Sequence, residues 1–267
     1  MPTFATFDGL RLHYTVWDGD GRHRRPVVLQ HGFAADTNAN WIGPGVVEAL
    51  REAGFTVISL DARGHGRSEK PHEPERYTED TMALDVSALL DELGLDEVSL
   101  VGYSMGAIIA LATTASDQRV RCLATGGVGS GIVDFGGVDT RVVRPEEIVT
   151  AMLADDPTDL PAASAPFRAL VDLVGGDRHA LAAVARGAKN VPMDLTAIGV
   201  PTLVLAGEQD PLAAEPERLA AAIAGARLVR VPGDHMTAVM NPAFSAALVD
   251  FLSAHPADHP ARPAHRV

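Results

Sequence analysis

The chain has a single cysteine, Cys122, among its 267 residues, which excludes an internal disulfide and any cysteine-rich metal site. That cysteine sits in an apolar run, so it reads as a core residue rather than a nucleophile. Basic residues are also outnumbered: 22 Lys and Arg stand against 35 Asp and Glu, a formal net charge of −13. Such a surface repels phosphate backbones and anionic lipid, so neither nucleic acid nor a membrane is an expected partner, and the charge serves solubility. No stretch approaches the roughly 20 apolar residues that a membrane helix needs. The start, Met1-Pro2-Thr3-Phe4, lacks the basic segment followed by an apolar one that marks an export signal, so the expected location is the cytoplasm. H-E-x-x-H, the P-loop pattern and G-x-G-x-x-G are all missing, so no metal, nucleotide or dinucleotide cofactor is expected.

What is present is apolar sequence, 46% of the residues, enough to bury a substantial core. Much of it comes in short runs. Thr3 to Phe7 and Leu10 to Trp17 read as strands joined by the Asp8-Gly9 turn. Pro26 to Gln30, Phe55 to Leu60, Val98 to Gly102, Arg121 to Ala124, Pro201 to Ala206 and Arg227 to Val231 read as further strands. Helical spacing fills the intervals at Trp41 to Glu52, Thr78 to Leu93, Met105 to Thr114, Glu215 to Ala224 and Pro242 to Ser253. Short buried strands alternating with helices predict an α/β fold: a mainly parallel sheet with helices on both faces and an antiparallel edge from the opening hairpin. The pattern changes after the sixth strand. Residues 130–198 show helical pieces separated by glycine and proline and no strand, which predicts a small helical cap inserted between core segments 1–129 and 199–255. The tail 256–267 has no periodicity and is expected to be disordered; its His259 and His265 read as tail residues rather than metal ligands.

Gly102-Tyr103-Ser104-Met105-Gly106 matches G-x-S-x-G, a pattern that holds a serine on a strained strand-to-helix turn with its hydroxyl exposed. The match gains weight from its setting. An apolar strand runs straight into it and a helix of small and apolar residues leaves it. A serine hydroxyl is a poor nucleophile and needs a base within hydrogen-bond reach, oriented in turn by a carboxylate. Two loops at later strand ends offer them: Gly207-Glu208-Gln209-Asp210, and Gly233-Asp234-His235.

Five segments now stand in one order: His31-Gly32-Phe33, Asp61 to Ser68 (Asp-Ala-Arg-Gly-His-Gly-Arg-Ser), the serine turn, the Gly207 loop and the Gly233 loop. In these the sequence resembles the α/β-hydrolase fold family over nearly all of its length to about residue 255. That resemblance implies Ser104 as nucleophile, His235 as general base and then acid, and Asp210 as the orienting carboxylate. It implies an oxyanion site made by the backbone N–H groups of Phe33 and Met105. The same likeness makes His31 structural and makes Asp61, Arg63 and His65 a loop brace; Asp234 adjoins His235, but its side chain is expected to diverge from the site. One departure is Ala107, where many relatives have a second glycine after Gly106; its methyl is expected to affect helix packing rather than activity.

Related dehalogenases and epoxide hydrolases attack with an aspartate at the turn; a serine there suits esters, thioesters, lactones, amides or activated C–C bonds. The expected function is therefore a serine hydrolase, carboxylesterase-like, acting on a small, apolar acyl compound. A C–C bond hydrolase or cofactor-free perhydrolase with the same three residues stays open, as does a slow-turnover ligand receptor on this fold. A homo-oligomer is also left open. Phe135, Ile148, Met152, Leu153, Phe167, Leu170 and Val171 are the cap residues expected either to roof an apolar pocket or to pack the cap onto the sheet.

Overall fold

A computed structural model of the chain describes residues 2–257; the expectations about His259, His265 and the rest of the tail from residue 258 lie outside the described residues. The opening hairpin forms as read, with β1 (Thr3–Ala5) antiparallel to β2 (Arg11–Trp17). Its turn places Gly9 at φ 82°, a conformation that suits a residue without Cβ. Six further strands follow: β3 (Val27–Gln30), β4 (Val57–Leu60), β5 (Val98–Tyr103), β6 (Val120–Gly126), β7 (Thr202–Gly207) and β8 (Arg227–Val231). They complete one sheet in the order β1-β2-β4-β3-β5-β6-β7-β8. β2 pairs antiparallel with β4, and every later pairing is parallel.

Buried apolar runs in β3, β4, β5 and β7 mean that both faces must be covered. Alternate residues face opposite sides. Val28, Leu100, Leu123 and Val204 pack against α2 (Glu79–Glu92), α3 (Met105–Ser116) and α8 (Pro216–Ala222). Val27, Leu29, Val101, Cys122 and Leu205 pack against α1 (Val46–Glu52) and α9 (Pro242–Ala254). Helix α2 begins where the sequence says it should: the Thr78 hydroxyl accepts the Thr81 N–H, and Glu79 and Asp80 lie at the positive end of the helix.

The helix expected over Trp41 to Glu52 is instead two pieces, a wide π turn at Asn38–Ile42 and then α1. Gly43-Pro44-Gly45 separates them, with Gly45 at φ 79°, so the helical path cannot continue. The break carries Asn40 beneath the end of β3.

Between β6 and β7 the described residues form α4 (Ser130–Phe135), α5 (Pro145–Leu153), α6 (Ala165–Val174) and α7 (Arg178–Gly187), with no strand. Ile132 of α4, with Leu195 and Ile198 at the far end of this segment, packs into the sheet's own core. Ile148, Met152, Val171 and Leu181 of α5–α7 form a separate apolar centre that also meets Ala34 and Leu212 from the sheet loops. Among the described residues no helix is long and apolar enough to cross a membrane.

Candidate active site

Ser104 stands between β5 and α3 at φ 54°, ψ −118°, a backbone state that costs a residue with a Cβ of order 1–3 kcal/mol. The flanking glycines explain how the turn is built. A Cβ on Gly102 would lie 2.1 Å from the Gly106 carbonyl oxygen, and one on Gly106 would lie 2.0 Å from that of Gln30. The helix therefore leaves the strand so closely that only hydrogens fit.

The two later loops converge on this turn. His235 Nε2 lies 2.9 Å from Ser104 Oγ. His235 Nδ1 lies 2.9 and 3.1 Å from the two oxygens of Asp210. A carboxylate only accepts, so Nδ1 carries the ring proton and Nε2 is left to accept from the serine hydroxyl. Asp210 is fixed in turn: its Oδ1 accepts from the Leu212 and Ala213 N–H groups, at the start of the 3-10 turn Pro211–Ala213. The loops are stitched together by Glu208 N–H donating to the Val231 carbonyl and Gly233 N–H donating to Gln209 Oε1. Glu208 is exposed, and Asp234 turns away to accept from the Met236 and Thr237 N–H groups.

Sequence reasoning passed over Tyr103, the variable position of the serine motif. Its hydroxyl donates to the His235 carbonyl at 2.8 Å. Burial pushes this phenol well above its ordinary pKa, and the nearby Asp210 and Asp234 carboxylates add to the shift, so it stays a donor.

The His31-Gly32-Phe33 loop abuts the serine, since a Cβ on Gly32 would lie 3.3 Å from Ser104 Cβ. Neither the Phe33 nor the Met105 N–H donates to an acceptor among the described residues. Their neighbours differ: Gly32 N–H donates to Asn40 Oδ1 at 2.7 Å and Ala34 N–H to His65 Nε2 at 3.3 Å. His31 gives both ring nitrogens to backbone, accepting from Ala62 N–H and donating to the Gly32 carbonyl. Asp61 accepts from the Thr37 hydroxyl and from the Thr37 and Arg67 N–H groups. Burial alone would raise its pKa, but the His31 ring and these hydrogen bonds outweigh it and hold the carboxyl below its ordinary range. Arg63 is buried away from the serine, bridging Asp85 and Asp8 with both edges of its guanidinium.

Above Ser104 lies a pocket of about 100 Å³, walled chiefly by Phe33, Met105, Ile108, Val143, Ile148 and Phe167. Its polar lining away from the serine comes from Glu79 and Asn190. Of the seven cap residues named from sequence, Ile148 and Phe167 line it. Met152 and Val171 are buried inside the cap, and Leu170 packs beside them. Leu153 is exposed, and Phe135 lies under the Arg141 guanidinium. Helical spacing identifies an apolar face but not the neighbour that it meets. Val184, on α7, was missed for that reason, Val138 and Val143 because they lie in the connection between α4 and α5, where no periodicity marks them, and Ile108 and Ile109 because a core helix shows no distinctive face. Among the described residues no three His, Cys, Asp or Glu side chains are grouped to hold a metal ion.

A family profile of the alpha/beta hydrolase fold matches residues 25–137. A provisionally named non-heme chloroperoxidase of Synechocystis sp. is 31% identical over 238 residues, 78% of this chain and 83% of that protein. The sn-1-specific diacylglycerol lipase ABHD11 of Danio rerio is 38% identical over 119 residues, 44% of this chain and 35% of the lipase. The matched region spans about a third of the length of that lipase and of other curated relatives. Among solved structures, the enol-lactonase of Burkholderia xenovorans LB400 superposes with a TM-score of 0.75 at 29% identity, over 94% of this chain and 100% of the lactonase. Likeness of sequence across most of both chains, joined to likeness of fold, gives one conclusion: this chain belongs to the α/β-hydrolase fold family.

Proposed function

We propose that this protein is a serine hydrolase that cleaves a carboxylic ester, or a related acyl bond, of a small apolar compound through an acyl-enzyme. The observation that carries the reading is the unbroken relay from Asp210 through His235 to Ser104 at the floor of an apolar pocket. In this reading Ser104 Oγ attacks the acyl carbon as His235 Nε2 takes the hydroxyl proton. Asp210 stabilises the imidazolium. The tetrahedral oxyanion accepts from the Phe33 and Met105 N–H groups, which are free to receive it. The C–O bond then breaks and the leaving oxygen takes the proton from His235. Water repeats the sequence on the acyl-enzyme, releasing the acid and restoring the Ser104 hydroxyl.

The helical segment 130–198 acts as a cap over a catalytic core of 1–129 and 199–255, and supplies substrate choice through Val143, Ile148 and Phe167. Among the described residues Glu79 is the one charged side chain in the pocket lining, which disfavours substrates carrying a free carboxylate there. Relatives named as a diacylglycerol lipase and an enol-lactonase favour acyl chemistry. The relative named as a chloroperoxidase favours a second outcome on the same acyl-enzyme, in which hydrogen peroxide replaces water and a peracid leaves.

A fluorophosphonate decides the central claim: it should label the protein once, at Ser104, and abolish turnover of aryl esters. Ser104→Ala should lose on the order of 10³-fold in kcat. Labelling at another residue with turnover retained overturns the reading. Assaying peracid formation alongside ester, lactone, amide and diketone substrates separates water from peroxide as acceptor and oxygen from carbon as leaving atom.

A further inference from the structure

Phe33 is bracketed. The N–H before it, of Gly32, is held by Asn40 Oδ1, and the N–H after it, of Ala34, is held by His65 Nε2, while its own N–H has no acceptor among the described residues. The two acceptors come from different parts of the fold, the π turn Asn38–Ile42 and the loop after β4, and both are buried. Resting on the function proposed above, we propose that Asn40 and His65 are positioning residues that aim the Phe33 N–H at the oxyanion of the reacting acyl group.

Four observations support this role. Ala34 sits at φ 65°, where a residue with a Cβ does not stay unless held, and the His65 bond is what holds its N–H. The His65 ring is committed to accepting: its Nδ1 lies 2.9 Å from the Arg63 carbonyl, which can only accept, so Nδ1 bears the proton and Nε2 does not. The imidazole also stays neutral, because burial, reinforced by the His31 ring, pushes its pKa down to about 3. The Phe33 ring is fixed as well, edge-on to His65 at 5.9 Å and to Phe167 at 6.0 Å, so the peptide between these anchors has little freedom to swing. A backbone donor stabilises a developing oxyanion only if it is aimed before the charge appears. Removing either acceptor would free the flanking N–H to seek another partner and rotate the Phe33 peptide with it.

The test uses the full chain with Asn40→Leu and His65→Leu, which remove the acceptors, and Asn40→Asp and His65→Gln, which keep an acceptor oxygen. Each variant is measured for kcat and KM on an aryl ester. Each is also measured for inhibition by a trifluoromethyl ketone, whose serine adduct carries an oxyanion, and by the product alcohol, which does not. The expected result is a kcat loss of about 10- to 100-fold in the leucine variants. The ketone should weaken in parallel, KM and alcohol inhibition should stay within about twofold, and Asn40→Asp should recover most of the kcat. Equal weakening of both inhibitors would mean pocket collapse rather than misaimed donors and overturns the proposal, as does unchanged kcat in any folded leucine variant. If a leucine variant fails to fold, the same comparison is read from Asn40→Ser or His65→Ser, whose shorter side chains draw the acceptor back from the flanking N–H, and the same outcomes support or overturn the role. A wild-type enzyme that fluorophosphonate does not label at Ser104 sinks the functional reading itself. A labelled, active enzyme indifferent to these variants sinks only the positioning role.

Discussion

Gly102 and Gly106 face each other beneath Ser104 so closely that a Cβ on Gly102 would lie 2.1 Å from the Gly106 carbonyl oxygen. On its other side Gly106 rests on β3, where its own Cβ would lie 2.0 Å from the Gln30 oxygen. Both obstacles are backbone, which cannot rotate aside as a side chain can.

Gly106→Ala should therefore destabilise the fold by about 3 kcal/mol or more, at the upper end of overpacking effects. Urea unfolding monitored by circular dichroism measures it. A variant as stable as wild type would show that the helix can slide away from β3, and the close approach would lose its role in building the turn.

The pocket makes a prediction about substrate length. Ile148, on α5, lines the same pocket as Ser104. Ile148→Trp should lower kcat/KM for a long-chain aryl ester about tenfold or more while leaving the acetate ester within about threefold, because added volume excludes only the longer acyl chain. Phe135→Ala serves as the contrast, since Phe135 packs on Arg141 and does not line the pocket. Its chain-length profile should match wild type. The same profile for Ile148→Trp would place substrate elsewhere.

Much of this architecture was legible in the sequence for a physical reason. Strands buried on both faces must be continuous apolar runs, and Val98 to Val101 or Leu203 to Ala206 have no other comfortable environment. Ser104 and Asp210 stood out because each follows such a run, and His235 because it follows the edge strand β8, where strand ends of an open sheet gather. Other features depend on partners that a linear pattern does not name. Asn40 lies just before the helix that spacing starts at Trp41, and nothing in the sequence shows that a π turn will bring its amide to the Gly32 N–H. Tyr103 occupies a free position of its motif, so its bond to the His235 carbonyl leaves no trace in spacing. The cap residues were left open between pocket and packing for the opposite reason: their apolar faces are plain, but whether Met152 or Ile148 looks into the pocket depends on how α5 is rotated.

His65 also links stability to pH. Its imidazole is buried beside the His31 ring, 5.1 Å away between centroids, with Asp61 and Lys70 also acting on it. Burial drops its pKa from the ordinary 6.5 to about 3. Above 6.5 neither folded nor unfolded chain binds the proton; between the two values only the unfolded chain does. Stability should therefore fall as the pH drops through that window, by about 1 kcal/mol per pH unit from this group. Comparing unfolding free energies of wild type and His65→Gln from pH 6 to pH 4 isolates the effect, which should flatten in the variant even if its overall stability is lower. Parallel slopes would mean that His65 titrates alike in both states.

The last prediction concerns which carboxylate orients His235, since Glu208 and Asp210 share one loop and both are acids. Asp210 lies 2.9 Å from His235 Nδ1 with its side chain fully buried, whereas Glu208 is exposed. Asp210→Asn is informative because of the second set of bonds that Asp210 makes. Its Oδ1 already accepts from the Leu212 and Ala213 N–H groups. An asparagine would keep its one carbonyl oxygen on those donors and turn its NH₂ toward His235. Nδ1 would then have to accept, the ring proton would move to Nε2, and Nε2 could no longer take the proton from Ser104. The fold should survive and kcat should fall by roughly 10²–10⁴. Glu208→Gln changes a solvated side chain and should alter kcat by no more than about threefold, as surface changes do. Steady-state kinetics on both variants, with circular dichroism to confirm folding, reads the difference. A severe loss confined to Glu208→Gln would transfer the orienting role, and near-normal kcat in Asp210→Asn would show that the tautomer of His235 does not limit the reaction.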